Sequence, residues 1–62
     1  MNDDNKITMH HNAQIIYNLM YGKKRMDILR AYSYTINKYK TDYSYDEIKD
    51  YLFHHTFEVT EK

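Results

Sequence analysis

The sequence has 62 residues, with nine Lys plus Arg against nine Asp plus Glu, four His and no Cys. That length allows one domain, which buries only about 60% of its unfolded surface, and the missing cysteines exclude disulfides and thiolate metal sites as reinforcement. Charge balance argues against a chain that captures polyanions through overall basicity. Self-association is the expected source of extra stability.

Eight Tyr stand among the 62 residues, a side chain that joins an apolar body to a polar tip and suits half-buried interfaces. The abundant Asn, Lys, Tyr and Ile have A/T-rich codons, an association that points to a low-GC genome or its phage. No apolar run reaches membrane-spanning length, and the first residues lack a basic and then apolar leader pattern. A cytoplasmic protein with no membrane partner is expected.

Residues 1–5 read as a disordered tail, with one apolar residue and two adjacent acids, ahead of a single small helical domain over residues 6–60. The stretch Lys6–His10 alternates, with Ile7 and Met9 opposite Lys6, Thr8 and His10. It fits either a short strand or a cap in which Thr8 or Asn12 starts the next helix and Ile7 acts as a hydrophobic staple. Over Ala13–Tyr21 only Gln14 and Asn18 interrupt the apolar residues, so more than half of a helix circumference is apolar. One neighbour cannot bury that much. The pattern predicts a helix sandwiched between a second helix and a third element, or lying at a subunit interface.

Gly22, the only glycine, follows that run where a left-handed residue would end a helix. The next residues, Lys23, Lys24 and Arg25, are favourable at the end of one helix and unfavourable at the start of another. The rival is one helix running through Gly22 at a cost of about 1 kcal/mol relative to Ala. Helix two is expected from about Lys24 to Lys40, with Asp27 early and Lys38 and Lys40 late, as the macrodipole prefers. Leu29, Tyr32, Ile36, Tyr39 and Tyr43 recur at helical spacing and form its expected core stripe. Lys23, Asp27, Arg30, Tyr34, Asn37 and Lys38 form its outer face, where Tyr34 stands among charges.

Ser44 with Glu47 is a capping box, and Tyr43 before it can pack on Ile48 as a staple, so helix three should begin at Tyr45. Ile48, Tyr51, Leu52 and His55 form its inner stripe, with Glu47, Asp50, His54 and Glu58 outside. The short link over residues 41–44 predicts that helices two and three are antiparallel neighbours. Phe53 and Phe57 fall on neither stripe. If the helix ends sooner, the alternation of Thr56–Thr60 suits a terminal strand pairing with Lys6–His10.

The pairs His10-His11 and His54-His55, and the spacing of Asp50 and His54, invite a metal reading. Adjacent histidines diverge on a helix and no third ligand stands at motif spacing, so neither metal nor cofactor is expected. The paired acids Asp3-Asp4, Asp46-Glu47 and Glu47-Asp50 belong to a tail or a first helical turn. No phosphate-cradling loop or nucleophile motif occurs, and no catalytic activity is expected.

Lys23, Lys24, Arg25 and Arg30 form the only basic cluster, and Lys6, Thr8 and His10 would share one face of a strand beside it. The order strand, helix, glycine turn, helix over Lys6 to Tyr39 resembles the ribbon-helix-helix repressors, whose dimers insert a paired ribbon into the DNA major groove. The resemblance implies base reading by Lys6, Thr8 and His10, and the basic cluster offers Lys23, Lys24 and Arg25 as the residues that would meet phosphates. Helix three lies beyond the part of the chain it covers.

The expectation is therefore an all-α, compact three-helix domain, with room for short terminal strands, that forms a dimer. Its expected function is that of a small non-enzymatic regulator or inhibitor acting on another protein, of the kind phages and mobile elements encode. Arg30, Tyr34, Lys38, Phe53 and Phe57 are the expected partner-binding residues, since they combine aromatic anchors with flanking charge. The alternative is a ribbon-helix-helix-like transcriptional repressor.

Overall fold

Thr8 opens the first helix: its Oγ1 accepts the His11 amide at 3.0 Å, and the extended backbone at Thr8 gives way to α1, Met9–Tyr21. The computed structural model describes residues 7–60, so the expected tail and Lys6 lie outside the described residues. Of the two readings of Lys6–His10, the described part takes the cap: Met9 and His10 are helical, and Asn12 is buried within α1 rather than capping it.

The chain does break after α1, though not as a glycine cap usually breaks it. The Gly22 amide donates to the Asn18 carbonyl at 2.7 Å with φ at −86°, and the left-handed conformation falls instead on Arg25, at φ 53°. Met26 N–H then reaches back to the Leu19 carbonyl at 2.8 Å and closes the turn. A left-handed residue cannot continue a right-handed helix, so α2, Ile28–Tyr39, begins at Ile28 and not near Lys24. Asp27 is its N-cap, accepting the Arg30 amide at 2.9 Å. Lys40, left-handed at φ 58°, ends it with its amide on the Ile36 carbonyl at 2.8 Å.

The capping box forms as its spacing predicts. Glu47 N–H donates to Ser44 Oγ at 3.1 Å, Ser44 N–H donates to Glu47 Oε1 at 3.0 Å, and α3 runs over Tyr45–His54. Because α3 stops at His54, the expected inner His55 and outer Glu58 lie beyond it. His55 is exposed with its ring stacked on Tyr51 at 3.8 Å.

α1 is the middle layer. Ile16 and Leu19 from α1, Ala31 from α2 and Ile48 from α3 form the buried cluster, with Met20, Met26, Tyr32, Tyr43 and Leu52 among the side chains packed on it. α2 and α3 each pack chiefly on α1, so the wide apolar face of α1 is sandwiched as expected. The antiparallel α2–α3 packing expected from the short link is not a main contact. The two meet at a corner, where the Tyr32 hydroxyl donates to the Tyr43 carbonyl at 2.8 Å and its ring meets Tyr45 edge-on at 5.4 Å.

The core stripe of α2 is rotated from the expected one. Leu29 is 58% exposed, whereas Ala31 and Thr35 are fully buried and Tyr32, Ile36 and Tyr39 are half-buried. Ala31 and Thr35 lie one turn apart, and their small side chains allow a close approach to α1, since interaxial distance follows the side chains at the contact. Thr35 can be buried because its hydroxyl donates to the Ala31 carbonyl at 2.8 Å.

After α3 the chain leaves helical structure and returns along α1. Gln14 bonds Glu58 and Asn18 bonds Thr60, so two residues of the segment advance beside one turn of helix, as an extended chain does. No strand occurs among the described residues, and residues 57–60 lie along α1. The radius of gyration, 11.1 Å, is close to the value of about 10–11 Å expected for a folded chain of this size.

Candidate interaction surface

The most exposed large apolar side chain among the described residues is Phe53, at 77%. It stands in the last turn of α3, beside Leu52, which turns inward onto the core. α1 ends and α2 begins at the same place, so Tyr17, Met20, Tyr21, Ile28, Leu52 and Phe53 together line a groove of about 80 Å³. Tyr21 adds a second exposed ring at 54%. None of the six walls is charged, and such a groove can accept an apolar side chain from a partner while its rings supply area at low entropic cost.

Phe57 does not belong to this surface, which corrects the expectation of a Phe53/Phe57 pair. It is 9% exposed and stacks on His10 at 5.0 Å and Tyr17 at 5.8 Å, with Tyr51 tilted against it at 6.1 Å. The pairing assumed that the helix continued. The turn at His55 carries Phe57 back to α1 instead. Tyr17 is the shared wall between the two places, since it also lines the Phe53 groove.

Arg30, Tyr34 and Lys38 do share one stripe of α2. Tyr34 is 39% exposed, and Lys38 Nζ donates to its hydroxyl at 3.5 Å while lying 5.6 Å from the ring centres of both Tyr34 and Tyr39. These rings stabilise the ammonium through their negative faces. Tyr34, Lys38 and Tyr39 border a shallow depression of about 250 Å³ that reaches Ile15 and Leu19 of α1. Lys24 lines this depression and also a wider one of about 520 Å³, where it joins Arg25, Met26, Asp27 and Arg30. The Asp27 carboxylate is engaged there as the cap of α2.

The strand face expected for DNA reading is not formed by its described members. Thr8 caps α1, and His10 sits on the helix with Nδ1 2.9 Å from the Tyr51 hydroxyl and its ring on Phe57. Lys23, like Lys24 and Arg25, is exposed. The Asp50 and His54 spacing produces a local contact, with His54 Nδ1 2.8 Å from the Asp50 carbonyl and 3.3 Å from Oδ1. Among the described residues no group of three or more His, Cys, Asp or Glu is arranged to hold a metal ion, and no helix is long and apolar enough to cross a membrane.

Sequence reasoning did not foresee the groove. Its one legible signal was the apolar excess on helix one, where Tyr17 and Tyr21, one turn apart, bring their rings within 4.7 Å. No family model matches the chain, and neither a curated protein nor a solved structure is significantly similar to it.

Proposed function

We propose that this chain is a small non-enzymatic regulator or inhibitor, of the kind phages and mobile elements encode, that acts by binding another protein through the groove at the ends of α1 and α3. The observation that carries the proposal is the exposure of Phe53 beside uncharged walls. A ring left in water next to a groove gains its burial only when a partner covers both, and such anchors are worth on the order of 2 kcal/mol or more. The Arg30, Tyr34 and Lys38 stripe is assigned to a homodimer contact, because a chain with so small a core gains stability from a second copy. The test is Phe53→Ala, checked for unchanged helicity and melting and then assayed for capture of a partner and activity in cells. Loss of both supports the reading, and full retention removes it.

A repressor reading is favoured by the convergence of Lys24, Arg25 and Arg30 on one depression. Three cations at one place suit phosphate contacts, and binding that uses them weakens steeply with salt. A specific, salt-dependent DNA shift abolished by Lys24→Glu supports this second reading. Its absence disposes of it.

A further inference from the structure

Residues 55–60 lie outside the reading above, and the face of α1 that they cover has the parts of a peptide site. Gln14 Nε2 donates to the Glu58 carbonyl at 2.8 Å. One turn on, the Asn18 side chain holds a single residue twice: Thr60 N–H donates to Oδ1 at 2.9 Å, and Nδ2 donates to Thr60 Oγ1 at 3.0 Å. Gln14 Nε2 also donates to Asn18 Oδ1 at 3.2 Å, so each amide orients the other. One residue before the first of these bonds, Phe57 fills a slot among the rings of His10, Tyr17 and Tyr51. Thr56, Glu58, Val59 and Thr60 remain exposed.

The division of labour is that of extended-peptide recognition, with backbone groups held by fixed polar partners and one pocket reading a side chain. Two of the three bonds from α1 to the segment go to its backbone and are blind to side-chain identity. Selectivity lies in the aromatic slot and in the hydroxyl three positions later. We infer that this face of α1 is a docking groove for an extended segment of a partner protein in which an aromatic residue is followed, three positions on, by Ser or Thr, and that residues 57–60 occupy it in cis. The occupant in cis defines the chemistry of the ligand. Being tethered, it competes at millimolar effective concentration, and a partner binds as the segment lifts away.

The experiment uses the full chain and a synthetic peptide of residues 55–60, His-Thr-Phe-Glu-Val-Thr, followed by the side-chain amide resonances of Gln14 and Asn18. Thr60→Pro removes the N–H that Asn18 holds and leaves Phe57 in place. The peptide is expected to bind this variant one to one and saturably. It should bind roughly tenfold more tightly than it binds the wild-type chain, because weakening the internal competitor raises the competent fraction. Phe57→Ala, which empties the slot, should bind the peptide more tightly still, provided that it keeps its helices. A peptide with Ala for Phe should not bind, and Phe53→Ala, in the other groove, should leave peptide affinity unchanged. The inference is overturned if neither variant binds saturably, if wild type and Thr60→Pro bind equally, if the Phe-less peptide binds as well, or if Phe53→Ala abolishes binding. Loss of helical circular dichroism in both variants would make the segment an integral part of the fold and would also overturn it. A wild-type dimer that the peptide dissociates would identify a second copy as the occupant and reject a separate partner.

Discussion

Asn12 and Thr41 meet inside the protein, where Asn12 Nδ2 donates to Thr41 Oγ1 at 3.3 Å and ties α1 to the link after α2 with only 1% and 7% of the two residues exposed. Asn12 Oδ1 has no partner among the described residues. A buried amide that is only half satisfied is costly, and removing its remaining partner costs more than replacing both groups. Thr41→Val should therefore destabilise by about 1–2 kcal/mol, whereas Asn12→Leu with Thr41→Val should regain at least that loss. Urea denaturation of the single and double variants checks this. A double variant as unstable as Thr41→Val would show that the pair contributes through something other than polar desolvation.

The capping box gives the most local prediction. Ser44→Ala leaves the Glu47 amide without its acceptor and should cost about 1 kcal/mol, a fall in melting temperature of roughly 4–8 °C for a domain of this size. Ser44→Asp, which keeps an acceptor oxygen in reach, should restore most of it. Equal melting of all three proteins would remove the cap from the account of stability.

Phe53 and Phe57 should separate cleanly in a stability measurement. Phe57→Ala removes a ring packed on three others and should cost about 2–3 kcal/mol. Phe53→Ala removes a ring already in water and should stay within about 0.5 kcal/mol. Similar losses from both would contradict the placement of Phe57 against α1.

The proposed dimer makes a thermodynamic prediction. Melting temperature should rise with protein concentration, as mass action requires when a dimer unfolds to monomers, and Tyr34→Ala should flatten that dependence. Sedimentation as a monomer at high micromolar concentration, with melting independent of concentration, would exclude it.

The basic depression separates the two functional readings. If the chain binds a protein, charge reversal at Lys24 should change the association rate more than the final affinity, as expected of charges at a rim, and no specific DNA shift should appear. Stopped-flow association and a DNA titration over a range of salt measure both.

The sequence alone determined the elements whose causes are local. A hydroxyl three residues before a carboxylate builds the start of α3 from backbone and side chains within one turn, so Ser44 and Glu47 were legible without the rest of the chain. The apolar excess around α1 was equally legible, but area alone left both burial between two elements and burial at a subunit interface open, and the fold supplies α2 and α3 as its neighbours. Tertiary structure decided the features that depend on what a surface meets. Leu29 reads as core because it is large and in phase with Tyr32 and Ile36, yet α2 turns Ala31 and Thr35 toward α1, since small side chains let two helices approach and a large one holds them apart. Helical spacing likewise makes Phe53 and Phe57 neighbours. The end of α3 at His54 and the amides of Gln14 and Asn18, far away in sequence, pull Phe57 inward and leave Phe53 in water. Periodicity measures phase within one helix, and it carries no information about which neighbour arrives or where the chain turns back.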